Sequence, residues 1–237
     1  MSTLRSGALV AIALASGALA GLVHGGVGLV TIGPYLDDAI ALEFAGSELE
    51  LPVEYGAYRD WQRGGQVVAG AMLGTSMGAL FGIVYGYLRG SLPGGHDVKR
   101  ALVLGGVMFA VLFLVPFLKY PASPPGIGDA DDLSYRSALY IGFTALSGAS
   151  AIGFYILSRA LKGRKKLAAA AGYVVLVAAA AAILPGAPAG DAPGDLLAGF
   201  RAMSVLGMAV FWIVMPLVFG ALWHKFRPDK RVQERAL

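Results

Sequence analysis

Long apolar blocks alternate with short polar connections along this chain. Six blocks stand out, at about Ala8–Gly33, Gly65–Leu88, Ala101–Leu118, Ser137–Leu157, Ala168–Pro185 and Ala202–Trp223. A bilayer core of about 30 Å takes about 20 residues of helix, and several blocks exceed 18 residues with almost no charge. The fifth is alanine-rich and barely long enough, so pattern alone leaves open a re-entrant piece and a five-span chain. The first follows Arg5 and contains Ala-Ser-Gly-Ala, but it continues to Gly33. That exceeds the roughly 7–15 apolar residues of an export signal, so a membrane span is expected there.

The loops decide between five and six. Between the first two blocks lie Asp37, Asp38, Glu43, Glu48, Glu50, Glu54 and Asp60 against Arg59 and Arg63. The next connection is basic (Arg89, Lys99, Arg100), the third acidic (Asp129, Asp131, Asp132), and the fourth, "SRALKGRKK", carries five cations and no acid. The fifth is acidic again (Asp191, Asp195) and the tail is basic. Fourteen Lys and Arg fall on one side of this alternation and five on the other. The positive-inside bias then predicts an all-α, polytopic helix bundle with six transmembrane helices and both termini cytoplasmic. Five spans would leave either Lys162–Lys166 or the tail on the wrong side. The expectation is a single membrane domain over 1–237, multi-pass in the cell membrane, with an outer loop at 34–64 carrying a short interfacial helix.

Composition agrees: 57% of residues are hydrophobic and 14% charged, against about 25% charged in soluble domains. The excess of cations over acids reflects loop charges that set orientation, so membrane lipids and not nucleic acid are the expected surroundings. The absence of cysteine excludes disulfides, zinc–thiolate sites and iron–sulfur clusters.

Within the second block Gly70, Gly74, Gly78, Gly82 and Gly86 recur every four residues. At 3.6 residues per turn they form one slowly drifting stripe almost free of side chains. Such a stripe predicts close helix packing where lipid gives helices little drive to associate; it would also permit sliding. Pro116 and Pro216 each fall late in a block and predict a bend.

His24 is the only histidine well inside a block. An ionisable residue at membrane depth is costly and reads first as functional, and imidazole ligates Co, Ni, Zn and Cu. It also serves as a hydrogen-bonding link between helices, and one histidine alone is no metal site. After the first block, "GPYLDDAIALEFAG" opens on a Gly-Pro break, and Leu36, Ile40 and Phe44 recur at four-residue intervals. This predicts a short interfacial helix with its apolar side down. Asp37, Asp38 and Glu43 on it are candidate cation ligands alongside His24, or members of a solvated acidic rim. Arg59 and Arg63, four apart in "YGAYRDWQRGG", are placed to pair with those carboxylates or with Asp60.

"FLVPFLKYPASPPGIGD" ends the third block. Lys119 and Tyr120 suit the outer interface. Pro121, Pro124 and Pro125 fix φ and favour a stiff extended strap, leading to Asp129. No His-Glu-x-x-His, nucleophile elbow, Walker lysine or dinucleotide fingerprint occurs, so neither an enzyme nor ATP coupling within this chain is expected.

Several stretches carry a family resemblance: "AGLVHGGVGLVTIGPYLDDAIALE", Arg63-Gly64-Gly65, "GALFGIVYGYLRG", "VPFLKYPASPPGIGD" with "RSALY", and "FRAMSVLGMAVFWIVMPLVFGAL". Over nearly its whole length the chain resembles the CbtA family, membrane proteins described as probable cobalt transporter subunits and usually with about five spans. The resemblance implies Co2+ as substrate, supplied for cobalamin synthesis, with no resident cofactor. It also implies a small single-span CbtB-like partner with histidines near one end, which would account for the few histidines here. A second copy of the chain is a further candidate partner. A non-conducting assembly or scaffold subunit is the alternative reading.

Overall fold

The computed structural model describes residues 6–45, 55–128, 131–186 and 192–228. Among these the secondary structure is helical, in seven helices: α1 (Ser6–Thr31), α2 (Gly33–Ala45), α3 (Tyr55–Leu88), α4 (Asp97–Lys119), α5 (Leu133–Ala160), α6 (Lys165–Ile183) and α7 (Gly194–Phe226). All but α2 are long and apolar enough to cross a membrane. The helices start earlier than the apolar blocks, most clearly α3, which begins ten residues before Gly65. Hydropathy marks the part that needs lipid, whereas polar residues such as Arg59, Asp60 and Gln62 continue a helix readily in water. Hydroxyls inside the spans are paid off locally: Ser16, Thr31, Thr75 and Thr144 each donate to the carbonyl four residues back, which satisfies them without a partner helix.

The helices group into two compact units, 1–107 with 202–237 and 108–201. In the first, α1 lies against α3 at backbone distance. Gly17, Gly21 and Gly25 face Gly70, Gly74 and Gly78, so that a Cβ on Gly74 would strike the Gly17 carbonyl and come within 2.8 Å of Gly21 Cα. A Cβ on Gly82 would come within 2.5 Å of the Ala13 side chain, whereas a Cβ on Gly86 would meet only Leu9, at an ordinary 3.5 Å. The tight part of the stripe is therefore its first four glycines. Pro216 of α7 is buried against Gly105 of α4, where a side chain would collide with the ring at 2.6 Å. At the predicted inner end, Phe81, Tyr85, Phe219 and Trp223 form one buried aromatic cluster. Arg89 lies 5.0 Å from the Trp223 ring and 3.3 Å from Asp97, whose other oxygen is 3.7 Å from His224.

The second unit has a core of Tyr120, Phe143 and Val177, packed with Val115, Leu139 and Tyr173. Its α4 segment carries a π-helical turn at Ala110–Leu114, just before Pro116. The proline expected to loosen this span thus follows a widened turn. The strap leaves α4 at Tyr120, passes Pro121, Pro124 and Pro125, and turns through Gly126 and Gly128, whose φ angles of 78° and 97° suit glycine.

Candidate functional site

The Gly-Pro junction after α1 barely interrupts the helix. Ile32 N–H donates to Gly28 and Leu36 N–H to Ile32 across the turn. Pro34 falls in the first turn of α2, where a missing N–H costs nothing. α2 thereby brings Asp37 to the start of α3. Its carboxylate accepts from Arg59 Nε at 2.7 Å through one oxygen and from Arg63 Nη2 at 3.1 Å through the other. Arg63 also holds Asp60 at 3.1 Å and Arg59 holds Gln62 at 3.2 Å. Arg59 is 8% exposed, so its pairing is more than a solvated surface contact. Partial burial, the largest influence on Asp37, works against its charge. The hydrogen bonds and charges of Arg59 and Arg63 together outweigh it and hold the carboxyl below its ordinary range. A cleft of about 340 Å³ opens here, lined by Asp37, Ile40, Ala41, Gly56, Arg59, Asp60 and Arg63. Two guanidiniums on Asp37 oppose a bare cation, so this cleft docks α2 onto α3. Asp38 and Glu43 lie on the exposed side of α2, away from it.

His24 stands apart from this cleft, about five turns into α1. Its Nδ1 is 2.9 Å from the Gly207 carbonyl of α7. A carbonyl only accepts, so Nδ1 bears a proton, and in the neutral form of the ring the lone pair lies on Nε2. Phe211 meets the ring edge-on at 6.1 Å between centroids. Gly207 makes the approach possible: a Cβ there would lie 3.2 Å from His24 Cε1. Sequence reasoning did not single out Gly207, nor Gly17, Gly21 and Gly25. The latter had a signal, since with Ala13 they repeat every four residues just as the α3 glycines do. The structure does not bring His24, Asp37, Asp38 and Glu43 together, and among the described residues no group of three or more His, Cys, Asp or Glu side chains could hold a metal ion.

The strap residues turn inward. Tyr120 is buried, with its hydroxyl donating to Pro185 O at 2.9 Å, and Lys119 Nζ donates to Leu184 O at 2.9 Å. Both cap the C-terminal end of α6, where Pro185 supplies no N–H and a cation complements the helix dipole. Those unsatisfied carbonyls draw them from the lipid interface for which their chemistry also suits them. Arg136 and Arg201 donate to the strap carbonyls of Ile127 and Ala122 at 3.0 and 3.2 Å. Asp129 lies outside the described residues.

The sequence model of a family described as "Probable cobalt transporter subunit (CbtA)" matches residues 6–224. The chain belongs to the CbtA family. No curated protein and no solved structure shows a significant match. For this CbtA-family chain the six long apolar helices and the family description together support a role in membrane transport.

Proposed function

We propose that this chain is the membrane subunit of a divalent metal cation transporter in the cell membrane, carrying Co2+ for cobalamin synthesis together with a small single-span, histidine-bearing CbtB-like partner. The observation that carries the reading is the orientation of His24. A carbonyl fixes its Nδ1–H, as an outer-shell acceptor does for metal-bound imidazoles, and Nε2 is left as a ligand atom at membrane depth. One imidazole is an incomplete site, so further ligands come from the partner. Charge at the predicted outer side favours cations too. All five Lys and Arg of the outer loops are held in structural contacts, on Asp37, Asp60 and main-chain carbonyls. Asp38 and Glu43 remain exposed to attract a cation from solution.

The lack of a three-ligand cluster among the described residues favours a second reading, a non-conducting scaffold that positions the metal-binding partner. Coexpression with the single-span partner followed by cobalt uptake into vesicles separates the two. Uptake that needs both chains supports the transporter; equal uptake by the partner without this chain rejects it.

A further inference from the structure

The widened turn of α4 has a specific consequence for one carbonyl. In an α-helix Val115 N–H would bond Val111 O; here it goes one residue further back, to Ala110 O. In that longer register the next donor, the one for Val111 O, would be residue 116, and residue 116 is proline. Val111 O therefore has no helical partner, in a segment apolar enough to lie in lipid, where an unsatisfied carbonyl is costly. Ser147 of α5, wholly buried, supplies the bond: Ser147 Oγ donates to Val111 O at 2.7 Å. With its single proton so used, Ser147 Oγ accepts from Tyr173 Oη of α6 at 2.9 Å. A directed chain of hydrogen bonds, Tyr173 to Ser147 to Val111, thus ties α5 and α6 to the π-turn.

Beyond the turn, the last stretch of α4 and the strap form one piece. Val115–Lys119 is regular helix and Tyr120 N–H bonds Pro116 O at 2.8 Å. The strap then lies against the ends of its neighbours through the contacts of Lys119, Tyr120, Arg136 and Arg201, with Ile127 tucked under it at 9% exposure. These are four part-buried hydrogen bonds, each weak enough to be exchanged for water, and lifting also draws Tyr120 off Phe143 in the core.

We propose that Ser147 is a positioning residue: the π-turn at Ala110–Leu114 is a hinge, and the Ser147–Tyr173 pair locks it so that Val115–Gly128 stays closed as an outer gate. The proposal rests on the transport reading for its purpose, but not for its test. Satisfied by Ser147, Val111 O keeps the turn in the π register and the strap down. Freed, the turn exchanges registers and the strap lifts.

The native chain has no cysteine, so Ile127→Cys reports lifting through its rate of reaction with a membrane-impermeant thiol reagent on the purified protein in lipid vesicles. When opening is fast relative to labelling, that rate follows the open population. Ser147→Ala removes one buried hydrogen bond and should raise the rate about tenfold. Tyr173→Phe should raise it in the same direction, and it carries the test if Ser147→Ala does not fold. Pro116→Ala restores a donor at residue 116 and so removes the need for the lock; in that background Ser147→Ala should leave the rate unchanged. Ala169→Cys, buried near the opposite end of α6 from the strap and outside the core that Tyr120 joins, should stay unreactive throughout. An unchanged rate in Ser147→Ala, an equal rise with and without Pro116, or new reactivity at Ala169→Cys would each overturn the hinge. None of these readings depends on whether cobalt moves.

Discussion

At the scale of single residues, the chain places Asp37 and His24 beside specific partners, and those partners decide what each group does. Asp37 looked like a cation ligand from its place on an amphipathic helix; in the structure it is the shared acceptor of Arg59 and Arg63. The four-residue spacing of the arginines made that pairing legible as one option. Only the near-continuous turn at Ile32, which sets how α2 returns to α3, picks it out. Because its carboxyl is held below the ordinary range, the stability it contributes is present above the usual carboxylate pKa of about 3.9 and is lost as pH falls through the folded value. Asp37→Asn should therefore loosen α2 at neutral pH, raising amide-hydrogen exchange across Gly33–Ala45, while the parent loosens there only in acid. Exchange in α2 unaltered by the substitution at neutral pH would show that the pairing does not anchor the helix. His24 was recognisable from its depth in an apolar block. Its acceptor was not, because Gly207 lies 183 residues away and carries no chemistry of its own.

Elements pack here through what is missing as much as through what is present. Four-residue glycine spacing in α3 is a pattern one can read directly, since period and helix pitch nearly coincide. The partner face needed the matching run Ala13, Gly17, Gly21, Gly25 to be read beside it. Backbone contact along both stripes gives dispersion that lipid cannot replace. Gly74→Ala must push a methyl into the Gly17 carbonyl, and should cost about 1–3 kcal/mol, as overpacking does. Gly86→Ala meets only Leu9 at 3.5 Å and should be neutral within about 0.5 kcal/mol. Thermal unfolding of both in detergent checks this, and equal melting temperatures would mean the stripe is not a packing seam. The π-turn in α4 was not legible. Pro116 announces a lost hydrogen bond, but the bond that satisfies the freed Val111 carbonyl comes from Ser147, 36 residues after Val111. The strap was legible as stiff from its prolines. Its inward ties at Lys119 and Tyr120 depend on carbonyls at the end of α6, which no local pattern reveals.

For the whole molecule, the number of long helices and their alternating loop charge were the most legible features, because both follow from the solvent and not from particular contacts. The charge alternation predicts that Ser123→Cys on the strap reacts with an impermeant reagent from outside intact cells and that Lys162→Cys, exposed in the basic loop, does not. Reaction of Lys162→Cys from outside would invert the topology. In the proposed function, transport turns on His24. Glutamine can still donate a hydrogen bond to Gly207 O but lacks the strong imidazole ligand; alanine lacks both. The decisive measurement is the initial rate of cobalt entry into vesicles holding this chain and the proposed single-span partner, for wild type, His24→Gln and His24→Ala at matched protein content, with the melting temperature of each recorded. The account predicts that uptake collapses in both variants while His24→Gln unfolds as the wild type does. Wild-type uptake by His24→Gln would contradict it and leave the histidine a link between helices.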